Sequence, residues 1–448
     1  MPIPTEKAKE ILKKHQIGYI ENLFAQSSAR HVLYEVGESE DNFPSFDSAL
    51  TDKVTLSAYS ILAAGVSLAE VSLTGEAIAA MEEAAALLIN VHAPYAGTEL
   101  TSSFHVLIAS MAFHASGQYS RAFVYIRKAE LLTPLAKIVA SFIRKWPSNV
   151  ISESNQYLLQ DLSHLTDSWS LCDHAVTLSI SRSMSLVLEY FASGNSQFLE
   201  SSIENLNIAM ELASDYESPS HWWIARLLRL MISGNGEASL WRTLPPYFPG
   251  DSTLVDRYVR LHVYAAKAVT ELWRSQLDAI PITIGQGRTG AVVNMRTSSG
   301  KTRVAELAIL QTLHENPDAK ILYLAPFRSL ALEIEQTLGQ IFDRCGFYVS
   351  HLYGGFRLSS ADRQIAKDSS ITIATPEKTR AILRASPELL SDVRLIIIDE
   401  GHLIGVDKRY VKNELFIDHL RVLAKSTACR ILLLSAVLPN PDQLAVWL

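Results

Sequence analysis

The sequence predicts an α + α/β chain: an N-terminal all-α array of helical hairpins, then a domain with a parallel sheet flanked by helices. Three observations predict it. Apolar and alanine-rich runs of helical period fill the first part, up to about residue 270. Beyond it, residues 291–295, 320–324, 394–398 and 430–434 are short continuous apolar runs separated by helix-like stretches, as strands buried on both faces of a parallel sheet read. The first of these runs passes through Arg296-Thr297-Ser298-Ser299-Gly300-Lys301-Thr302 into the helix-like residues 303–310, a strand–loop–helix layout. The expected division is a helical-hairpin region over 1–250, a connecting helix over 251–280 and the sheet domain over 281–448.

The loop names a ligand class. In a phosphate loop, backbone N–H groups of the turn and of the helix N-terminus converge on phosphate oxygens. Thr297, Ser298, Ser299 and Gly300 supply the turn, Lys301 a mobile positive charge, and Thr302 a hydroxyl able to ligate Mg²⁺. The pattern departs from the full motif at Met295, where a small residue is expected. An ordinary Gly-Lys-Thr turn is the bland alternative; the flanking strand and helix argue against it.

About a hundred residues on, the run at 394–398 ends in Asp399-Glu400-Gly401-His402. Carboxylates at the C-terminal end of a strand lie where open α/β sheets bind ligands. Asp399 is expected to hold Mg²⁺ and Glu400 to take the proton from water attacking a terminal phosphate, with Lys301 completing the catalytic set. The competing reading is a strand that ends in a solvated acidic turn.

Further motifs come in order. Ala325-Pro326-Phe327-Arg328-Ser329-Leu330-Ala331 follows the second apolar run, then come Gly354-Gly355, Thr375-Pro376-Glu377-Lys378 and Ser435-Ala436-Val437. Together with the loop and the acidic pair, they make residues 276–448 resemble the first RecA-like domain of a superfamily-two DExH-box helicase, most similar to the superkiller-like branch. The resemblance implies ATP and Mg²⁺ as cofactors and an ATP hydrolase activity. Gln276 resembles the adenine-reading glutamine of these enzymes; a surface glutamine on an amphipathic helix is the alternative. It also implies a nucleic-acid backbone held by Arg328, Ser329, Gly354, Gly355, Thr375, Pro376 and Lys378, with DNA preferred to RNA. His402, Ser435 and Ala436 would couple nucleotide state to domain position, and Val437 stands where the family usually has threonine. Such motors need a second RecA-like lobe, absent from this sequence, so the chain is expected to be the N-terminal portion of a longer helicase, or to meet that lobe in trans, and to hydrolyse ATP feebly alone.

The helical part is read separately. Gly117-Gln118-Tyr119-Ser120-Arg121-Ala122, then Ala129 and Pro134, resembles the turn and second helix of a tetratricopeptide unit. Residues 76–88 and 198–213 look like related second helices; a plain helical bundle remains the alternative. Prolines at 94, 134, 147, 219, 245, 246 and 249 punctuate the pattern, and Trp222-Trp223 is expected to pack between helices. Residues 1–280 carry a net charge of −10 and residues 281–448 one of +3, which makes the helical part a poor binder of nucleic acid and a candidate for protein contacts. Cys172, Cys345 and Cys429 are too scattered for a disulfide framework, and residues 1–14 hold no apolar leader core. A cytoplasmic protein without a membrane segment is therefore expected. Two functions stand: a nucleic-acid helicase or translocase, by analogy in bacterial genome defence, and a helical scaffold whose lone nucleotide-binding lobe acts as a switch.

Overall fold

Among the described residues, prolines start helices more often than they stop them. Pro134, Pro147 and Pro219 open helices in the computed structural model, at the position where a missing N–H costs nothing. The structure describes residues 3–16, 18–91, 99–145, 147–158, 167–266, 268–285, 290–297, 299–352, 358–403, 408–427, 429–438 and 440–448. Pro94 lies outside them. They form two units, one of Met1–Glu237 with Ala265–Val269, the other of Ala238–Tyr264 with Thr270–Leu448. Residues 238–250, read from sequence as the end of the helical region, thus cluster with the second unit.

The first unit is all helical: α1 Thr5–His15, α2 Gly18–Glu35, α3 Leu50–Val71, α4 Gly75–Asn90, α5 Glu99–Ala115, α6 Tyr119–Lys128, α7 Pro134–Ile143, α8 Pro147–Leu158, α9 Ser168–Ser193, α10 Ser196–Asp215 and α11 Pro219–Glu237. Successive helices pack as hairpins, α3 on α4, α5 on α6 and α9 on α10. Side chains of Thr74, Thr133 and Asn195 cap α4, α7 and α10, and Gly194, at φ +77°, ends α9. Gly65 allows the close approach of α3 to α4: a Cβ there would sit 3.0 Å from that of Ala80. Trp222 and Trp223 flank Arg226, which pairs with Glu70 of α3 at 2.7 Å, and Trp223 packs on Tyr59, so these rings serve packing as the sequence suggested. By length and composition α3 alone among the described helices could cross a membrane; it buries Val54, Ala58, Ile61 and Leu62 inside this unit.

The second unit opens with α12 Leu240–Thr243 and α13 Thr253–Val263, then α14 Arg274–Thr283, so the stretch 251–280 expected as one connecting helix is two helices, with an isolated bridge from Glu271 to Ser239 between them. Its sheet is β1 Gly290–Asn294, β2 Lys320–Leu324, β3 Val349–His351, β4 Ile371–Ala374, β5 Val393–Ile398 and β6 Arg430–Ser435. Between and after the strands lie α15 Lys301–Glu315, α16 Arg328–Cys345, α17 Ser360–Asp368, α18 Pro376–Ala385, α19 Lys408–Thr427 and α20 Pro441–Trp447. Every strand pair is parallel, in the order β1-β6-β5-β2-β4-β3. Three of the four runs read as doubly buried strands behave so: β2 and β6 are buried at all but the first residue and β5 at all but the second, whereas β1 is half-buried over its first three residues and exposed at its last. Parallel strands place every C-terminal end on one edge, so the loops after β1, β2, β4, β5 and β6 gather there.

Candidate active site

The loop after β1 is shaped by Gly300. This residue sits at φ +86°, a left-handed conformation that costs a side-chain-bearing residue ~1–2 kcal/mol, and it forms the N-terminal boundary of α15. A Cβ there would lie 2.0 Å from Gln276 Nε2. The Gln276 amide donates to the Gly300 carbonyl at 3.3 Å and accepts from the Trp273 N–H at 2.8 Å, while Ser275 Oγ donates to the Ser299 carbonyl at 3.2 Å. Gln276 is 6% exposed, so it is no surface residue, yet each end of its amide keeps one further bonding position. Thr297 is exposed, the Ser299 hydroxyl bonds the Arg296 carbonyl, and Thr302 follows Lys301 in the first turn of α15. Ser298 lies outside the described residues. Met295, the departure from the motif, is buried and continues the ladder by donating to the Ser435 carbonyl at 2.9 Å.

Across the edge, Asp399 and Glu400 leave β5 beside β2. The Tyr323 hydroxyl donates to Asp399 Oδ2 at 2.8 Å and the Glu400 N–H to Oδ1 at 2.8 Å. Burial pushes the Asp399 carboxyl above its ordinary range, against the pull of these two donors and of Lys301. Burial also raises Tyr323 well above its ordinary value, so it stays a neutral donor. Glu400 adopts φ +51°, a strained conformation that turns its side chain towards the phosphate loop, with Oε1 3.8 Å from Lys301 Nζ. The turn needs Gly401 next, because a Cβ there would meet Leu433 Cδ2 at 2.2 Å.

Strand β6 runs between β1 and β5, which puts Ser435 between the two motifs. Its carbonyl accepts from Met295 and its hydroxyl lies 3.3 Å from His402 Nδ1, which is in turn 3.2 Å from Glu400 Oε2. A continuous polar chain therefore joins Lys301, Glu400, His402 and Ser435; Ala436 follows, half-buried.

The residues expected to hold nucleic acid divide. Arg328 and Ser329 begin α16 just past β2 and are exposed, and Thr375 and Pro376 begin α18 just past β4, where the Thr375 hydroxyl caps the helix by accepting from the Lys378 N–H. Gly354 and Gly355 lie outside the described residues. Lys378 corrects the sequence reading. It is 1% exposed and its ammonium donates to Asp362 Oδ2 at 2.7 Å, which takes it out of reach of a phosphate. Sequence reasoning also passed over Tyr323 as one more strand residue; its place beside the strand that ends in Asp399 is a matter of strand order.

Residues 273–444 match the DEAD/DEAH box helicase family. Over 431 residues the chain is 33% identical to Hachiman protein HamB of Bacillus cereus, covering 96% of this chain and 38% of that protein. It is 34% identical over 182 residues to ATP-dependent DNA helicase Hel308 of Pyrococcus abyssi, covering 41% of this chain and 24% of that protein. Among solved structures, the DUF1998 helicase MrfA is similar at 24% identity and a TM-score of 0.38, over 44% of this chain and 32% of its own. The chain thus spans well under half the length of each of these relatives.

Proposed function

We propose, from the premise that residues 273–444 are a DEAD/DEAH box helicase domain of superfamily two, that this chain binds ATP and a nucleic-acid backbone as part of an ATP-driven DNA helicase or translocase. The observation that carries the reading is the convergence of Lys301, Asp399 and Glu400 at one edge of the sheet, with Lys301 Nζ 3.8 Å from Glu400 Oε1. In the proposed complex the phosphates of ATP lie against the N–H groups that open α15, and Lys301 exchanges its contact with Glu400 for the terminal phosphate. Glu400, freed, accepts the proton of a water whose oxygen attacks the γ-phosphorus while the bond to the β–γ bridging oxygen breaks and ADP leaves. Oxygen donors from Thr302 and Asp399 suit Mg²⁺, which when bound neutralises phosphate charge. The Gln276 amide uses its spare donor and acceptor on adenine.

The nucleic acid lies across the loops that hold Arg328, Ser329, Thr375 and Pro376, gripped through its backbone without regard to sequence. Preference for DNA is supported by similarity to a DNA helicase, and a role in bacterial genome defence by likeness to HamB across nearly the whole chain. Full turnover calls on a second RecA-like lobe, consistent with the greater length of these relatives. The test is DNA-stimulated phosphate release by the chain joined to such a lobe. Glu400→Gln should lower it by about 100-fold or more; unchanged turnover would defeat the assignment.

A further inference from the structure

The phosphate-loop helix is gripped from outside the region that matches the helicase family. On α13, residues 253–263, Tyr258 is fully buried and His262 is 4% exposed. The Tyr258 hydroxyl donates to Glu306 Oε2 at 3.1 Å and accepts from Arg303 Nη1 at 3.2 Å. Arg303 Nη1 also reaches the His262 ring and pairs with Glu306, and His262 Nε2 lies 3.5 Å from the same Glu306 oxygen. Arg303 stands two positions after Lys301, and Glu306 one turn further along α15. A buried carboxylate and guanidinium are costly to leave unpaired, so the network holds the first two turns of α15 to α13 in one register.

A second tether acts on the same loop. Ser275 and Gln276 of α14 hold the Ser299 and Gly300 carbonyls, and the segment leading to them is stitched shut: Leu240 N–H donates to the Thr270 carbonyl at 3.1 Å and Leu272 N–H to the Ala238 carbonyl at 2.9 Å. Residues 253–263 thus hold the helix that follows the nucleotide loop, and Ser275 and Gln276 hold the loop itself, all within the second unit.

We propose that α13 is a positioning element for nucleotide binding: Tyr258 and His262, acting through Arg303 and Glu306, set the first turn of α15 and hence Lys301. Neither residue touches nucleotide. The inference rests on the ATP-binding reading above and assigns residues that reading does not use.

The test measures the dissociation constant of a fluorescent ATP analogue with Mg²⁺, and the melting temperature, on this whole chain at a temperature where every variant is folded. Tyr258→Phe, which removes only the shared hydroxyl, and His262→Asn should each weaken the analogue by about tenfold, within the usual range of coupling between sites. Val255→Ala, on the same buried face of α13 but outside the network, should lower the melting temperature and leave affinity unchanged. Equal affinity in wild type, Tyr258→Phe and His262→Asn overturns the positioning role while leaving the nucleotide site standing. Weakening by Val255→Ala as strong as by Tyr258→Phe also overturns it, since general loosening of α13 would then suffice. Failure of the wild type itself to bind overturns the ATP-binding reading and this one together.

Discussion

Gly300→Ala should disable the nucleotide loop while keeping the sheet. The magnitude follows from what surrounds the residue. Its φ of +86° costs alanine ~1–2 kcal/mol. The new methyl would sit 2.0 Å from Gln276 Nε2, so the amide must swing away and give up its bonds to Gly300 and to the Trp273 N–H, each contributing ~1 kcal/mol. Together these amount to about 3 kcal/mol, which for a unit of roughly 200 residues lowers the melting temperature by about 6–12 °C. If the loop instead escapes strain by leaving the left-handed conformation, the same energy appears as a loss of roughly 100-fold in affinity for an ATP analogue. Scanning calorimetry and an equilibrium titration on the same preparation read both quantities. A variant that melts within a degree of wild type and binds the analogue with unchanged affinity would refute the reasoning, because the added methyl group has nowhere to go without one of those costs.

Other perturbations separate roles. Asp399→Asn should raise the melting temperature at neutral pH while abolishing Mg²⁺-dependent nucleotide binding. The sign follows from burial: the folded carboxyl titrates above its unfolded value, so its charged form costs stability at pH above that raised value, and the cost fades as pH falls to the ordinary carboxylate range. Tyr323→Phe removes a donor that favours the charged form, so the acid limb of Mg²⁺-dependent binding should move to higher pH; a stationary limb in a pH titration would exclude Asp399 as its source. Lys378→Ala leaves the Asp362 carboxylate buried without its ammonium and should destabilise by about 3–5 kcal/mol in denaturant titrations. Arg328→Ala should reduce the salt dependence of DNA binding by about one unit of slope, as loss of one phosphate contact requires.

What could be read from the chain depended on how local the cause was. The strands at 320–324, 394–398 and 430–434 are continuous apolar runs because both faces are covered, and the acids after 394–398 fall at a strand end whatever the strand order. Strand β3, three residues long with His351 tied to Glu335 of α16, carries too little pattern to stand out. Lys378 looked like a phosphate contact because its motif is local, whereas its partner Asp362 sits on α17 and is brought close only by packing. The Tyr258–His262–Arg303–Glu306 network was hidden for the same reason: α13 read as a connecting helix, and nothing in its spacing names α15 as the helix it grips. The hairpins of the first unit were legible through alanine-rich runs of helical period, whereas Pro134, Pro147 and Pro219, read as breaks, begin helices.

The central claim is that one edge of this sheet holds a triphosphate between Lys301 and the Asp399–Glu400 pair. Crystals of the chain with a non-hydrolysable ATP analogue and Mg²⁺ test it most directly. In them the terminal phosphate should be bonded to the Lys301 ammonium and face Glu400, the ion should lie between phosphate oxygens and the Thr302 and Asp399 oxygens, and the Lys301–Glu400 contact of 3.8 Å should be opened. Nucleotide bound elsewhere, or a terminal phosphate remote from both acids, would contradict it.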